Sequence, residues 1–217
     1  MTRTISARAI LFDMDGTLVD SHPVVERIWA EFARRFDLDV AEILATSHGV
    51  RMVETARKYA PHGTDIDAVV ADLSRIEYDD TEGVTAIAGA RDLLDSLPHG
   101  SWALVTSAAR PLTEKRMAGV GLPIPAVIVT SEVVTKGKPD PEPYLRAAEQ
   151  LGVAASDCLV FEDAEAGIRA GVASGAQVVV VGDAPSETAD RLGLPRIPDH
   201  TALRVEHADG GLHVQLP

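Results

Sequence analysis

The sequence predicts an α/β fold in which helices cover both faces of a parallel sheet and a helical cap is inserted into the chain. Three observations support this fold class: short apolar runs without polar alternation, helical periodicity between these runs, and a long strand-free stretch after the first run. The chain has 217 residues, of which 46% are hydrophobic and 24% are charged. That composition is typical of a folded globular protein with one main core.

Five short apolar runs are expected to form the strands of the sheet. Runs rich in Val, Ile and Leu that lack alternation are typical of strands buried on both faces. The runs cover residues 9–12, 102–105, 127–129, 159–161 and 178–181. Apolar residues recur at helical spacing between the runs, and strands that alternate with helices indicate a parallel sheet.

The stretch after the first strand departs from this alternation. Residues 21–85 show only helical periodicity, which predicts three or four amphipathic helices that form a cap. The core would then comprise residues 1–20 and 86–217. Near the end of the chain, residues 203–206 and 212–216 flank Gly210 and Gly211, which predicts a two-stranded hairpin.

Composition excludes several classes of partner. With 33 acidic and 20 basic side chains the formal net charge is −13, which argues against nucleic acid or an anionic membrane surface as the partner. The single cysteine, Cys158, allows no internal disulfide and suits a reducing compartment; it is expected to pack in the core. Because neither a signal peptide nor an apolar segment of roughly 18 residues is found, we expect a cytoplasmic protein.

The segment after the first strand carries the strongest chemical signal. Asp13 and Asp15 follow the strand at a spacing that points both carboxylates to one side of extended chain. In an open α/β sheet, ligands bind beyond the carboxyl ends of the strands. Two adjacent carboxylates repel unless a cation neutralises them, and Mg²⁺ is the usual cation beside phosphates. Gly16 then permits a sharp turn. The alternative interpretation is a polar turn that caps a helix.

Three further segments carry polar residues that could join this site. A later strand ends in Glu162 and Asp163, another ends in Thr106 and Ser107, and Lys138 precedes a proline that holds it extended. Each has a plain structural alternative: acids stabilise a helix N-terminus, hydroxyls cap helices, and loop lysines are usually solvated.

Taken in this order, the four segments resemble the motifs of the haloacid dehalogenase superfamily. The resemblance covers nearly the whole chain and implies a Rossmann-like parallel core with an α-helical cap. Within that superfamily the sequence is most similar to sugar-phosphate, glycerol-phosphate and 2-deoxyglucose-6-phosphate phosphatases. The segments that carry this similarity are residues 23–29, 47–51, 137–144 and 161–164.

The resemblance implies a Mg²⁺-dependent hydrolysis of a small phosphorylated metabolite, a sugar or polyol phosphate, through an aspartyl phosphate. Asp13 would be the nucleophile and Asp15 the general acid and base. The implied catalytic residues are Asp13, Asp15, Thr106 and Lys138. The implied metal ligands are Asp13, Asp15, Glu162 and Asp163. The implied substrate contacts are Ser107, His48 and Arg51.

Other activities stay open as alternatives. A β-phosphoglucomutase usually has histidine five residues after the aspartate of its Asp-Ser pair, whereas the residue five positions after Asp20 is Val25. A dehalogenase lacks the second aspartate, which is present here as Asp15. A phospho-aspartate receiver or a phosphate-binding protein without turnover would share part of the pattern. The remaining histidines have no partner spacing and are predicted to lie on the surface; they are His62, His99, His200, His207 and His213.

Overall fold

The computed structural model describes residues 3–208 and 210–217. Its strands are β1 (Arg3–Ala7), β2 (Ala9–Phe12), β3 (Val19–Asp20), β4 (Thr85–Ala86), β5 (Trp102–Val105), β6 (Val127–Val129), β7 (Cys158–Glu162), β8 (Gln177–Val181), β9 (Arg196–Ile197), β10 (Arg204–Ala208) and β11 (Gly211–Leu216). Its α-helices are α1 (His22–Phe36), α2 (Val40–Ser47), α3 (Met52–Tyr59), α4 (Ile66–Asp79), α5 (Ala90–Ser96), α6 (Arg110–Gly119), α7 (Glu142–Gln150), α8 (Glu165–Ala173) and α9 (Glu187–Leu192).

The main sheet has six parallel strands in the order β6-β5-β2-β7-β8-β9. Successive residues of central β2 serve opposite faces: Ile10 and Phe12 pack in one hydrophobic cluster with α5 and α6, and Ala9 and Leu11 pack in the other with α7 and α8. Burial on both faces explains why these strands read as continuous apolar runs. The predicted α/β fold class is confirmed.

A second, antiparallel sheet has the strand order β1-β11-β10. The predicted hairpin is present as β10 and β11, which pair from Arg204↔Gln215 to Ala208↔Gly211. The strand β1 was not predicted. It alternates exposed and buried residues and is separated from β2 by Arg8 alone, so its pattern merges with the run that follows.

Helices α1 to α4 form their own hydrophobic cluster, apart from the two sheet clusters. Trp29 and Phe32 of α1 pack there with Ile43, Ala56 and Leu73 from the other three helices. The chain enters and leaves this unit through the short antiparallel pair of β3 and β4. We propose on this basis that residues 21–85 form the cap domain.

One histidine corrects the surface assignment made from the sequence. His200 is 2% exposed, and its Nε2 donates to the carbonyl of Thr17 at 2.8 Å, with the ring edge-on to Phe12 and Phe161. Spacing could not reveal a partner 183 residues away in the chain. Cys158 is buried, as predicted. Among the described residues, no helix has both the length and the apolar character needed to cross a membrane.

Candidate active site

The carboxyl ends of β5, β2 and β7 bring together the polar residues predicted from the sequence. Asp13 follows the last residue of β2, Glu162 ends β7 and is followed by Asp163, and Thr106 follows β5. These strands are adjacent and parallel, so the residues that follow them meet at one edge of the sheet. Lys138 reaches the same edge from the loop after β6.

The loop after β2 is tied to Asp163. Gly16 adopts a φ of +83°, and a Cβ atom on it would lie 2.0 Å from Oδ2 of Asp163. A side chain is therefore excluded by both backbone conformation and space. The amide of Gly16 donates to the carbonyl of Val19 at 2.7 Å, which closes the turn. The hydroxyl of Thr17 donates to Oδ1 of Asp163 at 3.4 Å.

Lys138 is a buried cation with all three of its protons directed at oxygens. Its Nζ donates to Oδ1 of Asp13 at 2.5 Å, to Oε1 of Glu162 at 2.7 Å and to the carbonyl of Val105 at 3.1 Å. The side chain is 1% exposed. Such a cation is held in place by its partners, so it presents a fixed positive charge beside Asp13.

Glu162 is the acceptor that orients Lys138. Its Oε1 also accepts from the hydroxyl of Tyr144 at 2.9 Å, and its Oε2 accepts from the amides of Asp163 and Ala164 at 2.9 and 3.1 Å. A Cβ atom on Gly167 would lie 1.6 Å from Oε1 of Glu162, so only glycine leaves room for the carboxylate here. Both carboxylate oxygens are thus already bound within the protein.

The acidic cluster is strongly perturbed by burial. Burial, the largest influence, raises the pKa of Asp13 to about 8, against the opposing effect of Lys138. Burial and the charge of Glu162 raise the pKa of Asp163 well above its usual range. Burial alone would lower the pKa of Lys138, but Asp13 and Glu162 raise it, so the ammonium stays charged. One lysine cannot neutralise three carboxylates.

These residues fit a divalent metal ion. One carboxylate oxygen from each of Asp13, Glu162 and Asp163 lies within 4.8 Å of the others. An all-oxygen set of this charge suits a hard cation such as Mg²⁺. Because the oxygens of Glu162 are already hydrogen-bonded, Asp13 and Asp163 are the members best placed to bind the ion.

Asp15, also predicted as a metal ligand, is not part of this group of carboxylates among the described residues. Its Oδ1 accepts from the hydroxyl of Ser21 at 2.7 Å and from Nη1 of Arg116 at 2.8 Å. These contacts tie the carboxylate to α6 and to the residue that precedes α1. Asp15 nevertheless lines the same cavity as Asp13.

A cavity lies between the sheet edge and the cap. Asp13, Thr106 and Ser107 line it from the core, and His48 lines it from the cap, together with an apolar wall formed by Val25, Ile28 and Trp29. The hydroxyl of Ser107 donates to the carbonyl of Gly49 at 2.7 Å, which joins the core to the cap at the cavity rim. Burial, and then the charge of His22, lower the pKa of His48, so its imidazole is neutral near pH 7.

Comparison with known proteins identifies the family. A family model described as haloacid dehalogenase-like hydrolase matches residues 7–175, a range that contains all the site residues described above. The chain belongs to this hydrolase family. The resemblance found in its sequence motifs is thereby confirmed.

Relatives of this haloacid dehalogenase-like hydrolase include two phosphatases. It is 44% identical over 185 residues to hexitol phosphatase A of Escherichia coli, covering 83% of this chain and 85% of that protein. It is 36% identical over 197 residues to 2-deoxyglucose-6-phosphate phosphatase 1 of Saccharomyces cerevisiae, covering 80% of this chain and 79% of that protein. A crystal structure of a hydrolase from Pseudomonas syringae matches with a TM-score of 0.76 and 25% identity, over 88% of this chain and 92% of that one.

Arg51 of this hydrolase lies outside the cavity lining, although it was predicted to contact the substrate. Its guanidinium binds Oε1 of Glu54 at 2.6 Å and the carbonyls of Val134 and Thr135 at 3.3 and 3.2 Å. Its side chain also packs against Gly137, where a Cβ atom would lie 2.7 Å from Nε. In this arrangement Arg51 connects the cap to the loop that carries Lys138.

Three residues with important contacts were not singled out from the sequence. Tyr144 ends the segment 137–144 that carries the family similarity but was given no role of its own, and Arg116 and Glu77 were not considered. Arg116 donates to Glu77 of α4 at 3.0 Å as well as to Asp15. The Asp15 and Glu77 partners lie 101 and 39 residues from Arg116 along the chain, so no local pattern marks these contacts.

Proposed function

We propose that the chain is a Mg²⁺-dependent phosphatase that hydrolyses a small sugar or polyol phosphate through an aspartyl phosphate on Asp13. The observation that carries the proposal is the position of this carboxylate. It lies at the end of the central strand, bonded to Lys138, and it lines a cavity covered by the cap. The substrate class is supported by the activities named for the two relatives, which act on a hexitol phosphate and on 2-deoxyglucose 6-phosphate.

In the first step a carboxylate oxygen of Asp13 attacks the phosphorus in line with the leaving alcohol. The new Asp13–phosphorus bond forms as the ester bond breaks, and Asp15 donates a proton to the departing oxygen. In the second step Asp15 takes a proton from the water that attacks the aspartyl phosphate. Inorganic phosphate leaves and the Asp13 carboxylate is restored.

The surrounding residues reduce the repulsion between two anions. Lys138 keeps a positive charge 2.5 Å from Oδ1 of Asp13 and so beside the phosphoryl oxygens. Thr106 offers its hydroxyl from the cavity floor. Mg²⁺, held by Asp13 and Asp163, would neutralise the negative charge of the carboxylates and the phosphoryl group. The cap excludes bulk water from the aspartyl phosphate.

A phosphate-release screen tests the activity. The purified protein is supplied with hexitol phosphates, hexose phosphates, glycerol phosphates and nucleotides, each with EDTA and then with excess Mg²⁺. We expect Mg²⁺-dependent release from the polyol and sugar phosphates and little from nucleotides. Full turnover in EDTA, or no release from any monoester, would contradict the proposal. NMR of the products shows whether the phosphoryl group has moved within the sugar, as a mutase would require.

Intact-mass measurement tests the roles of the two aspartates. Mixing with an aryl phosphate, whose leaving group needs no proton, should leave a phosphoryl adduct on Asp15→Asn but not on Asp13→Asn. An adduct that persists in Asp13→Asn would place the nucleophile on another residue.

A further inference from the structure

Arg116 is a buried cation that contacts both the loop after β2 and the cap. Its side chain is 3% exposed, with Nη1 2.8 Å from Oδ1 of Asp15 and Nη2 3.0 Å from Oε1 of Glu77. Asp15 belongs to the loop after β2, whereas Glu77 lies near the end of α4 in the cap. A guanidinium holds its two carboxylate partners at the fixed angles of a planar, rigid fork, whereas an ammonium has no such fixed planar geometry.

The Arg116 position is unusual for a purely structural ion pair. Arg116, Asp15 and Glu77 all line the cavity that contains Asp13. The Nε of Arg116 is buried and has no hydrogen-bond partner in the described part of the chain. Burying a polar atom without a hydrogen-bond partner lowers the stability of the fold. If Arg116 served stability alone, we would expect its Nε to have a partner. The arrangement instead keeps a charged group at the cavity wall beside the proposed proton donor.

We propose that Arg116 and Glu77 form a positioning pair through which the cap controls the orientation of the Asp15 carboxylate. The inference rests on the proposed function, in which Asp15 donates a proton to the leaving alcohol. With Glu77 in place, the guanidinium is held between two carboxylates and shares its protons between them. Without Glu77, Arg116 has Asp15 as its only described carboxylate partner, and the cap loses its hold on the pair.

The pair matters most when the leaving group needs a proton. Arg116 and Ser21 both bind Oδ1 of Asp15, so together they set the orientation of the carboxylate and the position of Oδ2, the oxygen that would carry the proton to the departing alcohol. General acid catalysis contributes about 10²–10⁴-fold to such steps. A polyol alkoxide depends on that contribution, whereas p-nitrophenolate leaves without it. A change in Asp15 orientation should therefore separate these two substrates.

The experiment compares Glu77→Gln, Arg116→Met and Arg116→Lys with the wild-type enzyme. For a hexitol phosphate we expect kcat to fall by about 10- to 100-fold in the first two variants, part of the full effect of a general acid. Arg116→Lys keeps the positive charge but lacks the planar guanidinium, so its kcat should lie between that of the first two variants and that of the wild type. The first-turnover release of p-nitrophenolate, measured by stopped flow, should stay within about threefold of wild type in all three.

Lys115→Met is the matched control. Lys115 precedes Arg116 on α6 and contacts the carbonyl and the ring of Tyr78 on α4, so it makes a neighbouring contact between cap and core without touching Asp15. We expect its kcat for both substrates to stay near wild type. Equal losses in Lys115→Met and Glu77→Gln would mean that cap docking alone is affected, and would overturn the inference.

Two further outcomes are decisive. If the variants lose the same factor in kcat for the hexitol phosphate and in the rate of p-nitrophenolate release, Arg116 acts on the fold or on phosphate binding and not through Asp15. If Arg116→Met does not fold, Glu77→Gln, which keeps the shape of the side chain, decides the question on the same two rates. A wild-type enzyme that releases no phosphate from any monoester would instead refute the proposed function itself.

Discussion

Replacing Lys138 by methionine should lower both the stability and the turnover of the protein. The substitution keeps most of the volume of the side chain but removes the hydrogen bonds to Asp13, Glu162 and the carbonyl of Val105. Glu162 retains the hydroxyl of Tyr144 and two amides. Asp13 loses the cation closest to it.

The expected loss of stability and of turnover follows from this difference between Glu162, which keeps other donors, and Asp13, which loses its cation. Removing one partner of a buried ion pair typically costs about 3–5 kcal/mol when the remaining charge stays ionised. Because the pKa of Asp13 is already raised to about 8, its carboxyl can take up a proton once Lys138 is gone, so we expect a loss at the lower end of this range at pH 7. Domains of ordinary stability unfold with roughly 5–15 kcal/mol, so the variant should still fold. The loss of a preorganised positive charge at the reacting group should lower kcat by about 10²–10³-fold.

Urea denaturation in EDTA measures the free energy of unfolding, and Lys136→Met is the control. The Lys136 side chain is 71% exposed and its Nζ lies 3.5 Å from Asp140, so removing it should change the free energy by less than about 1 kcal/mol. Saturating Mg²⁺ should recover part of the Lys138→Met deficit, because the ion neutralises the same carboxylates. Equal stabilities of the two variants in EDTA would refute the reasoning that Lys138 compensates buried charge.

Three other predictions follow from the same network. Apparent Mg²⁺ affinity should rise nearly tenfold from pH 6 to 7 and less steeply from pH 7 to 8, because burial raises the pKa of Asp13 to about 8 and the ion must displace its proton below that pH; calorimetry that shows a flat affinity would contradict this. Tyr144→Phe should lower the free energy of unfolding by about 1.5–3 kcal/mol, the usual value of a hydrogen bond to a charged group, as measured by urea denaturation. Gly167→Ala should abolish phosphate release because its Cβ would displace the Glu162 carboxylate, whereas Gly119→Ala, with no atom within 4 Å of the added Cβ, should retain activity.

The sheet and its acidic residues were predictable because their signals are local. A strand buried on both faces must be apolar along its whole length, so β2, β5 and β7 stand out in the sequence. Because these strands are parallel, the residues that follow them lie at the same edge of the sheet. Asp13 and Asp163 could therefore be placed together before their distance was known.

Burial of single polar residues could not be predicted in this way. Arg51 lies at a position where a cap residue could face the substrate, but its guanidinium binds Glu54 and two carbonyls of the loop before Lys138. His200 has no pattern around it, and its burial depends on the carbonyl of Thr17. Such side chains are fixed by partners that are distant in sequence, and periodicity carries no information about them.

The two aspartates of the loop after β2 are held by cations from different parts of the chain. Asp13 is bonded to Lys138, whose other carboxylate partner, Glu162, belongs to the central sheet and is fixed there by two amides. Asp15 is bonded to Arg116, whose other carboxylate partner, Glu77, belongs to the cap. The proposed nucleophile is thus tied to the central sheet. The proposed proton donor is tied to Glu77 of the proposed cap, so in the proposed mechanism proton transfer to the leaving alcohol would be coupled to the position of the cap.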